Sequence, residues 1–78
     1  MPKIKPVDPI LKSFGNAVKK LREAKGLTQE TLAEKADLDR TYLSDIERGL
    51  RNAGVKNIVR IAKGLGITSS RLMEGVGL

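Results

Sequence analysis

Three times in 78 residues the chain repeats one local arrangement: an apolar residue, then a Thr or Asp able to cap a helix, then a second apolar residue four positions after the cap. Leu27–Thr28–Leu32, Leu38–Asp39–Leu43 and Ile67–Thr68–Leu72 are the three cases. The capping side chain satisfies free amides of the first turn, and the apolar pair closes over the entry as a staple that fixes the angle of approach. A chain stapled this often forms short helices meeting at steep angles, which predicts an all-α fold.

The remaining helices follow from spacing. Asp8 is an N-cap with Pro9 in the first helical position, after which Ile10, Leu11, Phe14, Ala17, Val18 and Leu21 recur at helical intervals. This helix should end near Lys25, with Gly26 as a left-handed stop. Gly15 within it costs about 1 kcal/mol relative to alanine, a loss that packing of Phe14 can absorb. Val55, Ile58, Val59, Ile61, Ala62 and Leu65 mark a later helix expected to fill the centre of the core, stopped by Gly66. The last helix spans Ser69 to about Glu74.

The stretch Thr28–Asn52 organises the rest. Leu32, Ala33 and Ala36 share one helical face, Leu43 and Ile46 share another, and the turn between holds only Asp37 and Leu38. So sharp a reversal needs one residue at positive φ, which Asp tolerates better than most residues. Arg40, Thr41, Ser44, Asp45 and Arg48 fall opposite the second stripe. Guanidinium, hydroxyl and carboxylate groups presented together on one rigid helix suit the reading of base edges in a DNA major groove.

Composition narrows the function. A domain of 78 residues has a thin core and little room for a ligand cavity. With no Cys and no His, the chain lacks disulfides, thiolate metal sites, the usual zinc ligand and the usual neutral-pH general base, so no metal or cofactor is expected. Ser44 as a nucleophile would have no evident base, and no glycine loop resembles a phosphate cradle, so an enzyme is the least favoured class. Fifteen Lys and Arg against nine Asp and Glu give a net charge of +6, a bias suited to a polyanion. No apolar run approaches the roughly 20 residues of a membrane span, and the N-terminus lacks a signal-peptide core. A soluble, cytoplasmic protein of bacterium or phage is expected. Residues 1–7, with Pro2, Lys3, Lys5 and Pro6, read as a flexible basic arm before a domain spanning 8–78. A frayed terminus is favoured there over a DNA-contacting arm.

The wording L-R-x-x-x-G-L-T-Q-E-x-L-A from Leu21, followed by L-D-R-T-Y-L-S-x-I-E-R-G-x-R-N from Leu38, closely resembles the Cro and phage-repressor family of helix-turn-helix proteins. D-R-T-Y-x-S-x-I-E-R-x-x-R-N is especially similar to the controller proteins of restriction-modification systems. The resemblance covers nearly the whole chain after the arm. It implies a compact five-helix domain, with helices two and three forming the helix-turn-helix over about residues 28–48 and helix three in the major groove.

By position in that family, Gln29 would bind a phosphate at the start of helix two, the alternative being a solvated residue. Arg40 and Thr41 occupy the positions that usually touch bases, and Arg40 can fork onto guanine O6 and N7 or contact a phosphate. Tyr42 would grip the backbone, or pack its ring in the core with only the hydroxyl wet. Ser44 and Asn52 would add polar contacts. Asp45 would accept from cytosine N4, pair with Arg48, or act only to reject wrong DNA. Arg48 and Arg51 would contact phosphates or flanking bases, and Lys56 is a weaker phosphate candidate. Family geometry places Arg22 beside Glu47 as a bidentate pair, and Asp39 is assigned to capping rather than to base reading. Three departures from the family stand out: Asp37 replaces the usual turn glycine, Ala53 and Gly54 replace a common proline and serine, and the tail is short. Leu72, Met73 and Val76 are assigned to a two-fold dimer interface in preference to the domain's own core.

The function these features imply is a sequence-specific, double-stranded DNA-binding regulator of transcription, homodimeric on paired half-sites, with no effector site and no membrane partner. As a controller it would act on its own promoter and that of a restriction endonuclease. The alternatives are a phage-type repressor, the antitoxin of a toxin pair, or an adaptor that keeps the fold without reading DNA.

Overall fold

The computed structural model describes residues 8–77, and the expected N-terminal arm lies outside them. Five helices follow in order: α1 Pro9–Ala24, α2 Gln29–Ala36, α3 Arg40–Glu47, α4 Gly54–Leu65 and α5 Ser69–Glu74. No strand occurs among the described residues. The all-α, five-helix expectation holds, with α2 and α3 as the helix-turn-helix.

The caps are those read from sequence. Asp8 accepts from the Ile10 N–H at 2.8 Å, Thr28 from Thr31 at 3.0 Å, Asp39 from Tyr42 at 3.2 Å and Thr68 from Arg71 at 3.1 Å. Each is worth about 1 kcal/mol. The outer staple residues Leu27, Leu38 and Ile67 are partly buried against the core, while Leu32, Leu43 and Leu72 are inside it. α1 ends at Ala24 and Gly26 takes φ +69°. Asp37 adopts φ 56°, ψ 47°, the left-handed conformation demanded by the short turn, and the Leu38 N–H closes the motif on the Ala33 carbonyl at 2.8 Å.

α2 packs on both α3 and α4, α1 packs on α3, and α5 closes the far side against α4 and α1. Val18, Leu32, Leu43, Ile46, Ile61, Leu65 and Leu72 are the largest fully buried side chains. At roughly 1.5–3 kcal/mol for each such aliphatic, they dominate the favourable side of folding. Gly15 has a positive reason to be glycine. A Cβ there would lie 2.6 Å from the Glu47 carbonyl oxygen and also clash with that of Ile46, so its absence lets α1 press against the backbone at the end of α3.

Two expectations change. Val55 and Val59 do not fill the core: they are 78% and 38% exposed, one turn apart on the outer side of α4, which buries Ile61, Ala62 and Leu65 instead. Conversely, Leu72 and Val76 belong to the chain's own core at 0% and 6% exposure. Of the three residues assigned to a dimer interface, only Met73, 45% exposed, remains on the surface. Helical spacing identifies apolar faces but does not say what covers them, and so small a core requires α5 to complete it.

Candidate nucleic-acid interface

α3 is anchored to α1 by one charged cluster. Arg22 of α1 meets Glu47 at the end of α3 in a bidentate pair, Nε to Oε2 at 2.7 Å and Nη2 to Oε1 at 3.0 Å. Its third donor, Nη1, reaches the Leu27 carbonyl at 2.9 Å, tying both helices to the entry of α2. Both residues are buried, and no buried side-chain polar atom among the described residues lacks a hydrogen-bond partner. The hydrogen bond to Glu47 raises the Arg22 pKa from its ordinary value despite the opposing effect of burial, so the guanidinium stays charged. Arg22 therefore serves the scaffold, as its assigned role requires.

Gln29, first in α2, joins the same cluster: its Nε2 donates to Glu47 Oε1 at 3.0 Å. The side chain expected at a phosphate is thus turned toward the Glu47 carboxylate.

On the outer side of α3, Arg40 and Thr41 are exposed in the first turn, and Arg40 takes part in none of the ion pairs formed among the described residues. Ser44 and Asp45 follow one turn on, half-buried. Asp45 stands between two arginines, with Oδ1 3.9 Å from Arg48 Nη1 and Oδ2 3.6 Å from Arg51 Nε. Arg51 also lies over the Tyr42 ring, 5.2 Å from its centroid. The Tyr42 ring packs on the core, as one of its two sequence readings has it, and the hydroxyl accepts from Asn57 Nδ2 at 3.1 Å.

The loop after α3 is held locally. Asn52, exposed, accepts at Oδ1 from the Gly54 N–H at 3.3 Å, and α4 begins after Ala53 without a side-chain cap of its own. Lys56 is exposed in the first turn of α4. Sequence reasoning missed two features. Asn57 positions Tyr42, and Lys12, Asn16 and Lys19 of α1 line a cleft with Gln29, Ser44, Glu47 and Arg48. The signal for the latter was present as Lys12, Asn16 and Lys19 at helical spacing, opposite the apolar stripe of α1.

The site is a basic surface whose exposed cations come from several elements: Lys12 and Lys19 of α1, Arg40 and Arg48 at the two ends of α3, Arg51 of the following loop and Lys56 of α4. It contains no cluster of His, Cys, Asp or Glu able to hold a metal among the described residues, and no helix there is long and apolar enough to cross a membrane.

Comparison with known proteins agrees with this geometry. The helix-turn-helix family profile matches residues 18–72. The control protein C.MunI of a Mycoplasma species is 52% identical over 64 residues, covering 81% of this chain and 86% of that protein. Among solved structures, the restriction-modification controller protein C.AhdI from Aeromonas hydrophila superposes with a TM-score of 0.78 at 47% identity, covering 80% of this chain and 94% of that one. The controller C.Esp1396I, solved as a tetramer with its natural 35 base-pair operator, gives a TM-score of 0.81 at 43% identity, covering 86% and 88%. With five helices in the expected order, a recognition helix anchored by Arg22 and Glu47, and relatives of this similarity over most of its length, the chain belongs to the helix-turn-helix family.

Proposed function

We propose that the chain is a sequence-specific, double-stranded DNA-binding regulator of transcription, acting in the cytoplasm as a homodimer on paired half-sites, and that it is the controller of a restriction-modification system. The observation that carries the reading is the exposed face of α3. Arg40, Thr41, Ser44, Asp45 and Arg48 stand together on a helix that the Arg22–Glu47 pair fixes in place. Similarity to C.MunI, C.AhdI and C.Esp1396I supports the controller assignment, and the C.Esp1396I tetramer on its operator DNA supports an oligomer as the active species.

Within this reading Arg40 and Thr41 contact bases, Ser44 and Tyr42 fix the register on the backbone, and Arg48, Arg51, Asn52 and Lys56 serve phosphates or flanking bases. Gln29 contributes through the start of α2. Met73, with Val55 and Val59, supplies exposed apolar surface for the second copy. The output is occupancy of a site, with no catalytic step.

Titration of a labelled duplex at two salt concentrations tests the electrostatic half of the reading. A reader making six to ten phosphate contacts should lose roughly a thousandfold or more in affinity between about 50 and 200 mM salt. Binding insensitive to salt would instead favour a protein-interaction role for the fold.

A further inference from the structure

Arg48 and Arg51 are both committed to a carboxylate in the free protein. Asp45 offers one oxygen to each, at 3.9 Å and 3.6 Å, from the middle of the face that meets DNA. The arginine side chains are 66% and 56% exposed and the carboxylate 25%, and both separations exceed ordinary hydrogen-bond lengths. Pairs of this kind are weak and are readily exchanged for a better anion. Arg51 is further aligned by the Tyr42 ring, whose hydroxyl is held by Asn57 of α4, so its position is shared by α3, the following loop and α4.

A carboxylate here resembles a phosphate in charge and in acceptor character. Any duplex must take Arg48 and Arg51 away from it, and then leaves Asp45 facing a polyanion without its counter-charges. At a site presenting a base amino group, cytosine N4 or adenine N6, Asp45 regains a donor in the major groove. At a site without one it does not.

We propose that Asp45 is a specificity-determining residue. It acts as an internal stand-in for phosphate that holds Arg48 and Arg51 in the free protein, and it penalises DNA that offers it no amino group in exchange. The inference rests on the DNA-reading function proposed above. Asp45 sets selectivity by lowering affinity for wrong sequences rather than by raising affinity for the right one.

The near-isosteric Asp45→Asn variant tests this, measured by fluorescence anisotropy on two duplexes: the sequence the wild-type protein selects from a random pool, and a shuffled version of it. The substitution should tighten binding to the shuffled duplex about fivefold, since the arginines no longer have to be taken from a carboxylate, and tighten binding to the selected duplex less. When Arg48→Ala and Arg51→Ala are also present, neutralising Asp45 should tighten binding to the shuffled duplex by less than it does in the wild-type background, because the repulsion of the carboxylate remains to be relieved but no arginine remains to be released. The inference is overturned if Asp45→Asn leaves affinity for the shuffled duplex unchanged or weaker, if both duplexes gain equally, or if the gain is undiminished when the arginines are absent. Wild-type protein that binds neither duplex would overturn the DNA-reading function itself, and this inference with it.

Discussion

Single residues divide the charges of the motif into two sets with different work. Arg22 and Glu47 are buried and mutually satisfied, so their value is structural. Removing one partner of a buried pair strands the other in a poor solvent for charge, at a cost of about 3–5 kcal/mol. Glu47→Ala should therefore lower the thermal midpoint by at least about 10 °C in a domain of this size, as followed by circular dichroism. A shift below about 3 °C would mean that α3 does not depend on the pair. Arg40 is the opposite case, exposed and outside the ion pairs described. Arg40→Ala should leave stability within about 0.5 kcal/mol and relax base preference at one position per half-site by about 1–3 kcal/mol. Unchanged preference in a binding-site selection would remove Arg40 from the reading set. Asp37 sits at φ 56° without being glycine, so Asp37→Gly should stabilise the turn by about 0.5–1 kcal/mol in a denaturant titration.

At the scale of the helices, the most telling contact is made by a missing atom. Propensity alone says that Gly15→Ala should strengthen α1 by about 1 kcal/mol. The added Cβ would instead meet backbone carbonyl oxygens of α3, 2.6 Å from that of Glu47, and neither helix can yield without disturbing the Arg22–Glu47 pair. We expect net destabilisation by about 1–3 kcal/mol, readable as an earlier thermal transition, and a stabilised variant would contradict the packing described. Most of the helical framework was legible in sequence because each signal was local. Asp8, Thr28, Asp39 and Thr68 cap where their spacing places them, and Asp37 takes the left-handed turn. The Arg22–Glu47 pair followed from family resemblance and not from spacing. What was not legible depended on tertiary neighbours. The Asp45–Arg48 pair was among the readings of the sequence, but nothing local shows that Gln29 turns onto Glu47, that Arg51 shares Asp45, or that Asn57 holds Tyr42.

For the whole molecule, the same limit governs which apolar surface remains for a second copy. Leu72 and Val76 complete the chain's own core, while Val55, Val59 and Met73 stay exposed on α4 and α5. Leu72→Ala should accordingly act on folding, at about 2–5 kcal/mol. Met73→Glu together with Val59→Lys should leave the fold intact and shift the monomer–dimer equilibrium toward monomer in sedimentation. An unaltered equilibrium would place the interface on another face. Dimerisation matters because two recognition helices related by a two-fold axis read two half-sites about one helical turn, ~34–36 Å, apart. Selection of bound sequences from a random duplex pool addresses that claim most directly. The protein should enrich an inverted pair of short half-sites with centres about 10 base pairs apart or a multiple of it. Recovery of a pool with no enriched sequence, or of a single half-site without a symmetric partner, would contradict it.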